Sequence, residues 1–295
     1  MQRVKDWLIT RDPAQPFFAF INFMEVHEPY QPPAPYDQQF MPPGISRAAA
    51  RRLLAQGEPN TDSGRAQDNE RAAKYFEVLK AAYDGELRYL DQQIHRLVDG
   101  LKSLDLLDNT VVIITSDHGD SLGEHEELGH RKVLYEQLVH VPLVIRHPDR
   151  FEPGSRIGAQ VQAVDLYPTL LELGGVSAPI PEGARSLLDA QRKAREFSIA
   201  ENTGPKSSNY LLARMIRTDR YKYIWKSNEA HELYDLLADP DERVNLITHE
   251  PEVARELSRK LHEWNNAATT AEVDATSAEY DEVVLSRLRE LGYVD

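Results

Sequence analysis

Five of the ten histidines in the 295-residue sequence fall between positions 118 and 147: His118, His125, His130, His140 and His147. Within that group the run Asp117-His118-Gly119 directly follows the apolar stretch Val111 to Thr115. Open α/β sheets place ligands at the carboxyl ends of their strands. At such a position Asp offers a hard oxygen, neutral His offers a nitrogen, and Gly turns the backbone without a side chain in the way. The plainer alternative is an Asp that caps the next element beside an exposed His. Gly123-Glu124-His125 and Gly129-His130-Arg131-Lys132 follow in a stretch too polar for a core. A further isolated histidine, His27, follows a second apolar run, Pro16 to Phe23. If those two runs are neighbouring strands, Asp117 and His118 can hold a cation. His27, His130 and Lys132 can then donate to an anionic ester oxygen. The alternatives are a loop His27 bonded to Glu28 or to backbone, and a solvated surface Lys132.

The elements that must position these residues read as alternating strands and helices. Pro16 to Phe23 is continuously apolar, as suits a strand covered on both faces in a parallel sheet. Residues 25–43, rich in Pro and Tyr, are loop, and the polar stretch 57–70 is turn-forming surface. Phe76, Leu79, Tyr83, Leu87, Leu90, Ile94, Leu97, Leu101 and Leu104 step by three or four, which predicts one long helix with one apolar stripe. Val111 to Thr115 and Val141 to Arg146 are further buried strands. Asp165 begins a helix with Pro168 in its first turn, ended by Gly174-Gly175. After about residue 195 the pattern changes to short strands (Arg195 to Ala200, Leu211 to Arg217, Tyr221 to Trp225) and a closing helix from Glu252 to Trp264. An acidic tail follows, with one amphipathic stretch at Val283 to Leu291. These patterns predict an α/β fold with a mainly parallel sheet flanked by helices, and a small C-terminal α+β unit. The expected division is 1–195, 196–265 and 266–295.

Composition bounds the rest. Hydrophobic residues at 41% and charged residues at 28% belong to an ordinary globular chain. A net charge of −14 with no long basic block argues against nucleic acid as partner. There is no cysteine, which excludes disulfides, thiolate metal sites and a cysteine nucleophile within this sequence. No apolar run approaches the roughly 18 to 20 residues of a membrane span. The opening MQRVKDWLIT lacks an apolar signal-peptide core and reads as a short amphipathic helix, so the chain as it stands is expected to be cytoplasmic.

The blocks PFFAFINFMEVHEPY, YDGELRYLDQQIHRL, NTVVIITSDHGDSLGEH, LYEQLVHVPLVIR and VDLYPTLLELGGV resemble, in order, successive blocks of the sulfatase family of the alkaline phosphatase superfamily. RMIRTDRYKYIW and HELYDLLADPDERVNL resemble its small C-terminal antiparallel sheet, so the likeness runs from about residue 4 to about residue 264. It implies an alkaline phosphatase-like fold and hydrolysis of sulfate monoesters on a small molecule or carbohydrate. It implies Asp117 and His118 as metal ligands and His27 as a contact to the sulfate and leaving oxygen. For the anion contact after the DHG motif, His130 and Lys132 compete. Asp165 falls in a block whose job is structural. Calcium is the usual family ion; a histidine ligand is unusual for that hard cation, which leaves manganese or zinc open. The family also carries an earlier acidic metal-ligand pair and a Cys/Ser-x-Pro-x-Arg motif whose first residue becomes formylglycine. Neither motif version occurs in this sequence. The expectation is an N-terminally incomplete catalytic domain, inactive by itself. The rival expectations are a phosphodiesterase, phosphonate hydrolase or phosphoethanolamine transferase of the same superfamily, and a non-catalytic remnant of a split or frameshifted gene.

Overall fold

The computed structural model describes residues 2–57, 66–130, 133–189, 194–202, 212–227 and 229–270. Helix α1 (Gln2–Thr10) buries Leu8, and its Trp7 meets Phe17 edge-on at 5.6 Å. The apolar run that follows does not become the strand its composition predicts. It has no regular secondary structure and pairs with no described segment, and Phe18 and Phe20 are 69% and 83% exposed. An apolar run becomes a strand only where neighbouring backbone takes up its N–H and C=O groups.

Helices α2 (Tyr36–Gln39), α3 (Arg47–Ala55) and α4 (Ala66–Ser103) come next, and the first two lean on the third. Ser46 starts α3 by accepting from the Ala49 N–H (3.3 Å). The three-to-four spacing makes α4 helical as expected. Tyr75, Val78, Leu79 and Ala82 are buried on it, and Tyr30 packs among them. Leu87, expected on the same stripe, is exposed.

Strand β1 (Val112–Thr115) leads into a small hairpin of β2 (Ser121–Leu122) and β3 (Leu128–Gly129), and then the four-residue α5 (Glu136–Val139). Strand β4 (Leu143–Arg146) returns antiparallel to β1, with Ile113 opposite Ile145. The expected parallel pairing is absent among the described strands. Among the described residues, the longest helix in the connection from β1 to β4 is the four-residue α5, too short for a crossover that brings the second strand round parallel. Helix α6 (Leu166–Gly174) begins after Asp165 and ends at Gly175, whose φ of 62° reverses the chain, both as expected. Asp165 is buried, accepts from the Gln162 and Arg185 N–H groups (2.9 and 2.8 Å), and pairs with the half-buried Arg195.

The C-terminal strands β5 (Ser198–Asn202), β6 (Ala213–Arg217), β7 (Tyr221–Lys226) and β8 (Glu232–Asp235) form one antiparallel sheet in chain order. Both its faces are apolar, and the period of two divides them. Ile216, Tyr223 and Leu233 meet Ala254, Leu257 and Leu261 of α7 (Pro251–Thr270). Met215, Ile224 and Tyr234 meet Val133, Leu134, Tyr135 and Leu138, the segment just past the β2–β3 hairpin. Lys222, fully buried in this second interface, reaches Glu136 (3.1 Å) and Glu242 (2.9 Å), and Arg217 reaches Glu136 (3.2 Å). The sheet therefore holds the segment that carries the histidine-rich loop. The Val283 to Leu291 stretch lies outside the described residues.

Candidate functional site

Gly119 sets the turn after β1. Its N–H donates to the Leu138 carbonyl (2.8 Å), and a Cβ there would fall 1.9 Å from the Gln137 carbonyl oxygen. Only glycine lets the backbone approach α5 this closely. Asp117 and His118 lie on the outer side of the turn. Asp117 is exposed, its Oδ1 accepts the His118 backbone N–H (3.0 Å), and its Oδ2 lies 3.8 Å from His118 Nε2. His118 Nδ1 is 2.8 Å from the Gly119 carbonyl. A carbonyl only accepts, so that nitrogen carries the proton and Nε2 is left as the free ring nitrogen.

The histidines predicted from two strand ends do converge, by another route. His118 stacks on His130 with ring centroids 4.1 Å apart, and His27 meets His130 edge-on at 5.5 Å. No parallel strand pair is involved. The β2–β3 hairpin delivers His130, and an irregular loop delivers His27. That loop hangs from α4: Glu86 accepts the N–H groups of Val26 (2.8 Å) and Gln31 (2.6 Å), on either side of His27. Burial pushes the Glu86 carboxyl above its ordinary range against the pull of those two donors. The His27 side chain is exposed, and its Nδ1 donates to the Glu28 carbonyl (2.8 Å). The hairpin turn is tied to the same helix through Lys80 and Glu124 (2.8 Å). Burial would raise the Glu124 carboxyl, but Lys80 and the Leu122 N–H outweigh it and hold it below the usual range.

Two residues missed in the sequence belong to this cluster. Asp120 Oδ1 lies 3.3 Å from His130 Nδ1, and its Oδ2 takes a short hydrogen bond from the Tyr30 hydroxyl. Burial, then the Asp120 carboxylate, push the Tyr30 phenol far up. The signal was in the hairpin register: Ser121 pairs with Gly129, so Asp120 and His130 are the next opposed pair. Lys132 lies outside the described residues. A cavity of about 570 Å³, lined by Asp165, Arg185, Leu187 and Arg195 among others, contains none of the histidines.

Asp117 and His118 offer one oxygen donor and one free ring nitrogen, which suits two positions of a divalent cation's shell. Among the described residues no three His, Cys, Asp or Glu side chains are arranged to hold an ion. No helix of the described residues is long and apolar enough to cross a membrane.

This arrangement sits on a known scaffold. The chain superposes on the phosphonate monoester hydrolase of Agrobacterium radiobacter with a TM-score of 0.72 and 26% identity, over 95% of this chain and 61% of that one. A protein solved with its substrate D-glucosamine-2-N,6-O-disulfate superposes with a TM-score of 0.65 at 20% identity, over 94% and 70%. The fold is that of the alkaline phosphatase-like hydrolases. The sulfatase family model matches residues 1–176, and a model of the N-sulphoglucosamine sulphohydrolase C-terminal region matches residues 123–267. The chain belongs to the sulfatase family. It is 30% identical over 258 residues to an arylsulfatase of Clostridium perfringens, covering 83% of this chain and 52% of the relative. To arylsulfatase K of Mus musculus it is 33% identical over 199 residues, covering 62% and 35%. The chain thus spans about half, or about a third, of the length of these relatives.

Proposed function

We propose that this chain carries the ester-binding side of a sulfatase active site and serves hydrolysis of a sulfate monoester borne on a carbohydrate. The observation that supports the reading is that His27, His118 and His130 gather within ring contact. Each commits Nδ1 to a protein oxygen, which leaves Nε2 as the working nitrogen. His27 and His130 present Nε2 as a donor to the oxygens of the transferring group, where charge is best offset by fixed donors. Lys132 is the competing donor for the second of these places. Asp117 and His118 would hold a divalent cation, which supplies positive charge beside the sulfuryl oxygens. The formylglycine of the family does not fit: the 295 residues contain no cysteine and no Ser-x-Pro-x-Arg, so no step through it is assigned to them. The sugar ester is favoured by the glucosamine disulfate bound to one structural neighbour. A second reading, hydrolysis of a phosphonate or phosphodiester, draws on the likeness to the Agrobacterium enzyme.

The test is a chimera that joins this chain to the segment of the C. perfringens arylsulfatase it does not match, assayed on an aryl sulfate and an aryl phosphonate. His27→Ala, and His130→Ala or Lys132→Ala, should each lower turnover about 10²–10³-fold, the usual worth of one fixed donor. Faster turnover of the phosphonate would favour the second reading. Full activity in all three variants would remove these residues from the site.

A further inference from the structure

We propose that Asp120, held by the Tyr30 hydroxyl, is a positioning residue for His130. The inference rests on the reading of His130 as an anion contact and adds how its ring is fixed. The hairpin register places the two side chains opposite each other on one face. The Asp120 side chain is 6% exposed, and a carboxylate so far from water needs a partner for each oxygen. It has them: His130 Nδ1 on Oδ1 and the Tyr30 hydroxyl on Oδ2. Tyr30 is buried against Tyr75, Leu79 and Ala82 of α4, with Tyr83 edge-on at 5.3 Å, so its ring cannot swing away from the carboxylate. A rigid helix thus fixes a phenol, the phenol fixes a carboxylate, and the carboxylate fixes an imidazole.

A carboxylate only accepts hydrogen bonds, so the nitrogen that faces Asp120, His130 Nδ1, carries a proton. A ring flip would turn carbon toward Asp120 and forfeit the bond. The His118 face and the His27 edge brace the same ring from two further sides. Nε2 is therefore the nitrogen presented, in one orientation. A donor whose rotamer is locked by its surroundings is what a site aimed at developing charge requires.

Nitrogen-15 spectra of histidine-labelled full chain read the tautomer directly. In the wild type His130 should show a protonated Nδ1. Asp120→Asn should lose that signature, because an amide can donate to the ring, and Asp120→Glu should restore it. Tyr30→Phe should broaden the signal by freeing the carboxylate. A wild-type His130 with no proton on Nδ1 overturns the proposal, whether or not the variants fold. So does an Asp120→Asn variant that folds and keeps the wild-type pattern. Titration with inorganic sulfate separates the two claims. If the tautomer behaves as expected but sulfate leaves the His130 signal untouched, the positioning stands and the role of His130 as anion contact falls.

Discussion

The imidazoles of His118 and His130 lie face to face, 4.1 Å between centroids and 25° from parallel. One belongs to the turn after β1 and the other to the end of the β2–β3 hairpin, so this contact joins the candidate cation ligands to the candidate anion contact. It depends on Gly119, which lets the turn sit against the Gln137 carbonyl.

Gly119→Ala should therefore act on both sides. The new Cβ would fall 1.9 Å from a backbone oxygen that cannot move without shifting α5. Forcing atoms into a packed place typically costs about 1–3 kcal/mol. Denaturant unfolding should show a loss in that range, and the His118 and His130 proton resonances should move apart. Unchanged stability and spectra would mean the turn is not confined.

Divalent cations should bind this chain weakly, because two donors leave most of the shell to water. Calorimetric titration with calcium, manganese and zinc should give dissociation constants weaker than about micromolar. Asp117→Ala should remove the heat. Tighter binding, or binding indifferent to that substitution, would place the ion elsewhere.

Lys222→Met should cost about 3–5 kcal/mol, the usual penalty when one partner of a buried ion cluster is removed. Glu136 and Glu242 would be left without their ammonium. The pH dependence has a sign. Burial would raise the Glu136 carboxyl, but Lys222 and Arg217 outweigh it and keep it below the ordinary range. Its contribution in the wild type is thus present above the unfolded value of about 4.3 and lost as pH falls through the lower folded value. Without Lys222 both carboxyls are easier to protonate when folded, so the stability gap to the wild type should narrow from pH 7 to about pH 4. A gap constant across that range would show that Lys222 acts through packing alone.

The 295-residue chain alone should turn over neither an aryl sulfate nor an aryl phosphonate with metal added, because it supplies no formylglycine precursor. Its apolar run Pro16 to Phe23 should make it self-associate, since Phe18 and Phe20 face solvent on backbone that forms no strand with the described residues. Replacing both by Ser should lower light scattering while moving stability by less than about 0.5 kcal/mol. Turnover abolished by Asp117→Ala would contradict the first claim, and a monodisperse wild type the second.

Much of this was legible in the sequence where periodicity is dense. The three-to-four stripe marked α4, and the short runs Arg195 to Ala200, Leu211 to Arg217 and Tyr221 to Trp225 marked β5, β6 and β7, though not the packing of both sheet faces. The caps around Asp165 and Gly175 fixed α6. What failed was pairing. Phe17 to Phe23 has the composition of a strand, but composition does not supply a neighbour. The β1–β4 direction depends on the connection between them rather than on either strand. His27, His118 and His130 were named from residue type and position, and they do meet. Asp120 and Tyr30 were not, because their role arises from hairpin register and from a side chain reaching across the fold. Lys132 lies outside the described residues and stays an expectation.

Helix α4 carries a further consequence. Lys80 holds the hairpin loop and Glu86 holds the His27 loop, six residues apart on one rod. At 1.5 Å per residue, the two tethers are spaced by roughly 9 Å of helix rise. The spacing between the loops is thus a count of helical residues, a ruler internal to the chain. One residue inserted between positions 80 and 86 would turn one tether by about 100° against the other while leaving every histidine in the sequence. The site is written as much in that interval as in its own side chains.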